Sequence, residues 1–293
     1  MQSTRLQLLL AVTALIGLGL LVAGVFYKQN FDQAITFPSL GDLENSLDCS
    51  QLDQDNLVVI LAVGQSIASN YGSVPYAVGP KVFSFYNGTC FRGNDPLPGA
   101  DGNGGSIWSR LGDLLIQRGL AKNVLLVAVG SGGSSVSEWV PDAKLYPRLI
   151  DAATNLRASG FKPTLVVWLQ GSRDRGMEPQ KYRKHLRDFI FSFPILGIQL
   201  GQPTRMLVAT HTRCNSEALP ELQAAQRGVV EPDKFIFEGP NMDALDNEMK
   251  YDRCHYNEKG LDLAANLWLE SISKVLPSTS AIPRMPDRAA STP

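Results

Sequence analysis

The sequence predicts an α/β protein, built as a three-layer α/β/α sandwich around a central five-stranded parallel sheet and preceded by an N-terminal transmembrane helix. Short apolar runs rich in β-branched residues recur along the chain, which is typical of buried parallel strands. Amphipathic helical patterns separate these runs. An uncharged apolar stretch over residues 8–26 predicts the membrane helix.

The stretch at 8–26 is close to the roughly 20 residues that span about 30 Å of hydrocarbon. A cleaved signal peptide is the alternative, with residues 22–24 as a small-residue cleavage site. The run exceeds the roughly 7–15 residues of a usual signal-peptide core, which favours an uncleaved anchor. Arg5 precedes the span, and Lys28 and Asp32 follow it, which orients the large domain outward. We predict a single-pass membrane protein, or a secreted one after cleavage, with the large domain on the extracytoplasmic side.

Residues 57–276 are predicted to form the folded domain. The anchor occupies 1–28, a stalk or lead-in 29–56, and a disordered tail rich in Pro, Ser and Thr 277–293. Strands are predicted at 58–63, 124–129, 164–169, 206–210 and, more weakly, 235–237. Helices are predicted at 106–118, 146–158, 179–191, 217–227 and 260–275, the first with Ser106 as its N-cap.

The connection from 70 to 101 is rich in Gly and Pro and holds a weaker candidate strand at 81–86. A connection of that length in a compact domain is usually functional, so we expect it to form a wall of the binding site. It also contains a glycosylation sequon at 87–89, which matters only in a eukaryotic secretory pathway.

Four cysteines lie beyond the apolar stretch, and an even number in an exported domain fits two disulfides. Their order suggests Cys49–Cys90 and Cys214–Cys254, with free buried thiols as the alternative. The net charge of −1 and the absence of a basic run predict no nucleic-acid partner. No His, Cys or Asp cluster has metal-ligand spacing, so we expect no metal and no cofactor.

Four polar segments follow predicted strands or precede the last helix, at 64–66, 130–134, 170–174 and 252–255. Ligands of open α/β sheets bind at this edge. Serine is a poor nucleophile near neutral pH and needs a base in hydrogen-bond reach and a group that orients the base. Each segment alone could be a turn, a helix cap or a loop ion pair. Together they predict Ser66 as nucleophile, His255 as base and Asp252 as the orienting carboxylate.

These segments resemble the SGNH (GDSL-like) hydrolase superfamily, and specifically its sialate O-acetylesterase branch of carbohydrate acetylesterases. That branch carries four sequence blocks. The first is Gly-Gln-Ser, and the second begins with Gly-Gly-Thr and ends in Trp. The third is Trp-x-Gln-Gly-Glu-Ser-Asp, and the fourth is Asp-x-x-His. The matching segments here are 64–66, 132–139, 168–174 and 252–255, within a match of about 57–269. The resemblance implies the flavodoxin-like sandwich of SGNH hydrolases, in which Ser66 attacks an ester carbonyl and His255 accepts its proton.

The resemblance also implies an oxyanion site made by the Ser66 N–H and one of the glycines of the second block. Each fixed donor of that kind is often worth ~3–4 kcal/mol. Arg173 stands where the wider superfamily has Asn, and Ser172 stands where the branch has Glu. The candidates for oxyanion or substrate binding are Gln65, Gly132, Gly133, Gln170 and Arg173.

Only three histidines compete for the role of base. His185 lies in a polar helical pattern, and His211 has no carboxylate near it in sequence, so His255 is favoured. The predicted function is an esterase that removes O-acetyl groups from carbohydrates, with an acetylated carbohydrate and, through the N-terminal helix, the membrane as partners. An acetyltransferase of the same fold, or a non-catalytic carbohydrate-binding relative, is the alternative.

Overall fold

A seven-stranded sheet forms the centre of the protein. The structure is a computed structural model and describes residues 36–37 and 46–276. The predicted anchor, most of the lead-in and the tail lie outside the described residues. The strands are β1 Leu57–Gly64, β2 Val82–Tyr86, β3 Thr89–Arg92, β4 Asn123–Ala128, β5 Leu165–Leu169, β6 Arg205–Thr210 and β7 Ile236–Asn241. The helices are α1 Ile107–Gln117, α2 Tyr146–Ala158, α3 Pro179–Phe191, α4 Pro220–Arg227 and α5 Glu258–Ser273.

The strand order is β3-β2-β4-β1-β5-β6-β7, and every neighbouring pair is parallel except β2–β3. The prediction of a five-stranded, wholly parallel sheet is therefore wrong, although all five predicted strands are present. The additional strands form a hairpin that turns at Asn87 and Gly88, whose φ angles are 47° and 82°. Two successive positive φ angles are typical of the tight turn that Asn-Gly favours in hairpins.

Alternate residues of β1 enter two separate hydrophobic clusters, one on each face of the sheet. Val59, Leu61 and Val63 belong to the cluster that includes residues of α2, α3 and α4. Val58, Ile60 and Ala62 belong to the cluster that includes residues of α1 and α5. Burial on both faces explains why β1 reads as a continuous apolar run, and it confirms the predicted three layers.

The path of the chain reverses at β1, which lies between β4 on one side and β5 on the other. In open α/β sheets such a reversal leaves a crevice outside the carboxyl ends of the strands, where ligands bind. Ser66 begins the short 3-10 helix that follows β1, so it lies at this crevice.

Both disulfides expected from the sequence are present. Cys49–Cys90 joins the end of the lead-in to β3, where Leu47 also donates its N–H to the Cys90 carbonyl. Cys214–Cys254 joins the loop after β6 to the loop before α5. Over the residues that the structure describes, no helix has the length and hydropathy that a membrane span requires.

Candidate active site

Ser66, His255 and Asp252 form a continuous hydrogen-bonded chain. The Ser66 Oγ lies 2.9 Å from the His255 Nε2, and the His255 Nδ1 lies 2.7 Å from the Asp252 Oδ2. A proton can therefore pass from the serine hydroxyl to the imidazole while the carboxylate faces the other ring nitrogen. The structure brings together the three residues that the sequence analysis selected.

The loop that carries His255 is shaped by its own aspartate. The Asp252 Oδ1 accepts hydrogen bonds from the backbone N–H groups of Cys254 (2.9 Å) and His255 (2.6 Å). Burial raises the pKa of Asp252, but these bonds and the one from the His255 ring outweigh burial, so the pKa lies below its usual value. The carboxylate therefore stays ionised at neutral pH and can stabilise a positive charge on the imidazole.

The two glycines of the second block differ in what their N–H groups contact. The Gly132 N–H donates to the Asp101 Oδ2 at 2.9 Å, and Arg148 pairs with the other Asp101 oxygen at 2.9 Å. For the Gly133 N–H, no acceptor lies among the described residues, and Gly133 itself is exposed. Of the two glycines, only Gly133 therefore has an N–H with no acceptor among the described residues.

Gln170, expected to bind the oxyanion or substrate, is engaged in the core instead. Its side chain is fully buried, and its amide donates both to the Ser134 carbonyl (3.0 Å) and to the Asp174 Oδ2 (2.6 Å). Its Oε1 accepts from the Tyr182 hydroxyl at 3.0 Å. With both amide hydrogens used, Gln170 has none to offer a substrate unless one of these bonds breaks.

Gln65 links the turn that carries Ser66 to the loop after β5. Its Nε2 donates to the Ser172 Oγ at 2.7 Å, and its Oε1 accepts from the Gly171 N–H at 3.0 Å. These bonds join the Ser66 segment to the segment that bears Arg173. The Gln65 side chain thus positions two parts of the site relative to each other.

Arg173 lies in the loop after β5 and is exposed to solvent. Among the described residues, no carboxylate forms an ion pair with it. Its neighbour Asp174 is buried and accepts from the Ser135 Oγ and the Val136 N–H, at 2.5 and 2.9 Å. Asp174 therefore holds the start of the short 3-10 helix Val136–Glu138, and does not cap α3.

Two tyrosines beside His255 were missed by the sequence analysis. The Tyr71 ring stacks on the imidazole, with centroids 5.2 Å apart and planes 23° apart. The Tyr251 ring lies 6.2 Å from the imidazole at 30°. Tyr71 lies in the long connection after β1, so part of that connection does reach the site. Neither tyrosine belongs to a motif, and only the adjacency of Tyr251 to Asp252 could have indicated it.

His211 is buried at the end of β6, 3.6 Å from the Asp243 carboxylate. The expectation that no carboxylate stands near it holds in sequence only, since Asp243 reaches it through the fold. Burial lowers the pKa of His211 below its usual value, although Asp243 opposes the shift. Neither ring nitrogen has a hydrogen-bond partner among the described residues, so His211 is not paired with Ser66.

A family model described as carbohydrate esterase, sialic acid-specific acetylesterase, matches residues 110–268. The match spans more than half of the chain, and the protein belongs to this family of carbohydrate esterases. The matched residues include Asp252 and His255 and begin after Ser66. The resemblance drawn from the sequence motifs is confirmed.

The solved structures similar to this chain include a protein from Arabidopsis thaliana, with 18% identity, a TM-score of 0.61 and coverage of 75% of this chain and 99% of that one. A carbohydrate acetylesterase from Xanthomonas citri has 15% identity and a TM-score of 0.47, covering 75% of this chain and 56% of its own. A lipase/acylhydrolase from Enterococcus faecalis has 15% identity and a TM-score of 0.46, covering 76% and 98%. The likeness to the Arabidopsis protein shows a shared fold. No curated protein sequence matched this chain.

Proposed function

We propose that the protein is a serine esterase that removes O-acetyl groups from carbohydrates. The observation that carries the proposal is the chain of hydrogen bonds from Ser66 through His255 to Asp252. Membership of a carbohydrate esterase family supports the same reaction class. The two disulfides support an extracytoplasmic location, because such bonds persist mainly in oxidising compartments.

In the first half of the proposed reaction, the Ser66 Oγ attacks the acetyl carbonyl carbon and its proton moves to the His255 Nε2. The negative charge on the carbonyl oxygen is stabilised by the N–H groups of Ser66 and Gly133. Collapse of the tetrahedral intermediate breaks the bond to the sugar oxygen, which takes the proton from His255. Asp252 holds the imidazole in the required tautomer and stabilises its charged form.

In the second half, water attacks the acetyl group on Ser66, with His255 again accepting a proton. Acetate leaves and the serine hydroxyl is restored. If a sugar hydroxyl replaced water in this step, the same site would transfer acetyl groups and not hydrolyse them.

The experiment supplies O-acetylated monosaccharides and oligosaccharides to the purified full-length protein and measures free acetate and sugar products over time. The proposal expects acetate release in proportion to the loss of sugar-bound acetyl. Acetyl transfer to an added unacetylated sugar without acetate release would favour the acetyltransferase. Binding of the acetylated sugar with neither product would favour the non-catalytic relative.

A further inference from the structure

The leaving group of the proposed reaction has a defined position relative to His255. This inference rests on the proposed function. In that reaction the sugar oxygen must come within hydrogen-bond reach of the His255 Nε2 that protonates it. The sugar ring attached to that oxygen must therefore lie against the surface that surrounds the imidazole. The residues on that surface decide which alcohols fit as leaving groups.

Tyr251 is the prominent exposed side chain next to the imidazole. Its side chain is 54% exposed, yet its ring lies 6.2 Å from the His255 ring and within 30° of its plane. A large aromatic face open to solvent beside the proton donor matches the apolar face of a pyranose ring. Burial of such a ring with the hydroxyl end still hydrogen-bonded is a usual role of tyrosine at binding surfaces.

Tyr251 is held in place through both its hydroxyl group and its backbone. Its hydroxyl donates to the Tyr71 backbone carbonyl at 3.2 Å, and its backbone N–H donates to the His255 carbonyl at 3.0 Å. Partial burial and the charge of Asp252 raise the pKa of Tyr251, so the phenol keeps its proton and continues to donate. A ring held in advance loses little conformational freedom when a ligand stacks on it.

Tyr71 is the second aromatic residue beside the imidazole. Its ring stacks on His255, and its hydroxyl lies so near Gly132 that a Cβ added there would meet it at 2.4 Å. The Tyr71 side chain therefore extends from the imidazole to Gly132, and its backbone carbonyl accepts the hydrogen bond from Tyr251. The aromatic surface beside His255 is built from two residues that also hold each other.

We infer that Tyr251 is the platform on which the sugar ring of the leaving group stacks while its oxygen faces His255. The ligand class is a pyranose or similar ring with an apolar face, carrying an acetyl ester. Tyr251 then determines specificity for ring-bearing alcohols and does not take part in bond making. For an ester whose alcohol is too small to reach Tyr251, the rate of hydrolysis should not depend on this residue.

The test measures kcat and KM of wild type, Tyr251→Ala and Tyr251→Phe with two acetyl esters. One is an O-acetylated pyranoside, and the other is ethyl acetate, whose alcohol has no ring. Tyr251→Ala should lower kcat/KM for the sugar ester roughly 10-fold, mainly through KM, and leave ethyl acetate within about twofold. Tyr251→Phe keeps the aromatic face and should retain most of the sugar-ester activity.

Phe191→Ala is the matched control, because Phe191 is also a half-exposed aromatic residue but ends α3, away from the loop of His255. It should leave both activities unchanged. An equal loss on both esters in Tyr251→Ala would show that Tyr251 only supports His255, and no loss on either would also overturn the inference. Wild type inactive on both esters would instead refute the proposed function.

Discussion

Gly64 lies directly against the Leu169 carbonyl group of the neighbouring strand. A Cβ added to Gly64 would be only 2.0 Å from the Leu169 oxygen, and the Gly64 φ of 153° lies at the edge of the region that L side chains avoid. The next residue, Gln65, donates its N–H to the same oxygen at 3.2 Å. The first residue of the Gly-Gln-Ser segment must therefore be glycine, because a side chain would not fit where β1 ends and the turn that carries Ser66 begins.

Gly64→Ala should therefore destabilise the protein and displace Ser66. The strained backbone costs roughly 1–3 kcal/mol, and overpacking against Leu169 adds a similar cost of roughly 1–3 kcal/mol. Urea unfolding and acetyl-ester turnover would measure the two effects. Gly176→Ala is the control, because a Cβ at Gly176 would meet nothing within 4 Å. Wild-type stability and activity in Gly64→Ala would show that the contact is not required.

Asp252→Asn should lower acetyl-ester turnover roughly 10²–10⁴-fold, because the amide no longer favours the required tautomer or stabilises the charged imidazole. His255→Ala should cost more, since Ser66 then lacks its base. Steady-state kinetics on both variants test this order. Asp188→Asn, a change of an exposed carboxylate on α3, should remain within about twofold of wild type. A larger loss in Asp252→Asn than in His255→Ala would contradict the assigned roles.

The sequence predicts those parts of the architecture whose pattern lies within one short segment of the chain. Four of the five predicted parallel strands, β1, β4, β5 and β6, are visible because burial on both faces makes each a largely apolar run. The edge strand β7 is only partly buried and gives a weaker signal. The candidate strand at 81–86 is present as β2, but the sequence analysis does not predict β3 or the hairpin. Asn87-Gly88 is nevertheless a strong hairpin signal. The triad was found because Asp252 and His255 are three residues apart and follow a recognisable motif.

The parts that were missed depend on contacts between distant segments. Gln65 and Ser172 are 107 residues apart, and nothing in either segment shows that they bond. Gln170 looks like a site residue because of its position in a motif, but one of its amide hydrogens goes to the Ser134 carbonyl, 36 residues away in sequence, and the other goes to Asp174 of the same motif. Such pairings are decided by the packing of whole elements, which no single segment encodes.

The disulfide Cys214–Cys254 should matter for activity as well as stability. The two bridges close loops of nearly equal length, 41 and 40 residues apart, so removing either should cost roughly 3–4 kcal/mol. Only Cys214–Cys254 tethers the loop of His255. The double variant Cys214→Ala/Cys254→Ala should therefore lose turnover under conditions where Cys49→Ala/Cys90→Ala, the matched control, stays active. Equal activity of the two folded double variants would refute this role.

His211 should make the protein less stable in mild acid. Its pKa is lowered in the folded state, so below the ordinary value of about 6.5 the unfolded chain binds more protons than the folded one. The free energy of unfolding must then decrease as the pH falls, by at most about 1.4 kcal/mol per pH unit from this group. His211→Gln should flatten the decrease between about pH 6.5 and 5 in urea unfolding. An unaltered slope in His211→Gln would rule out this origin.

The turnover of Ser66→Ala on an O-acetylated sugar tests the central claim most directly. The substitution removes one oxygen atom from the turn after β1, and Ser73→Ala makes the same change at an exposed position of the same connection. We predict that Ser66→Ala keeps the wild-type unfolding midpoint but loses roughly 10⁴–10⁶-fold in kcat, while Ser73→Ala stays at the wild-type rate. The double variant Ser66→Ala/His255→Ala should be little slower than Ser66→Ala alone, because the two side chains act as one unit. Acetate release by folded Ser66→Ala at a rate near that of wild type would contradict the account.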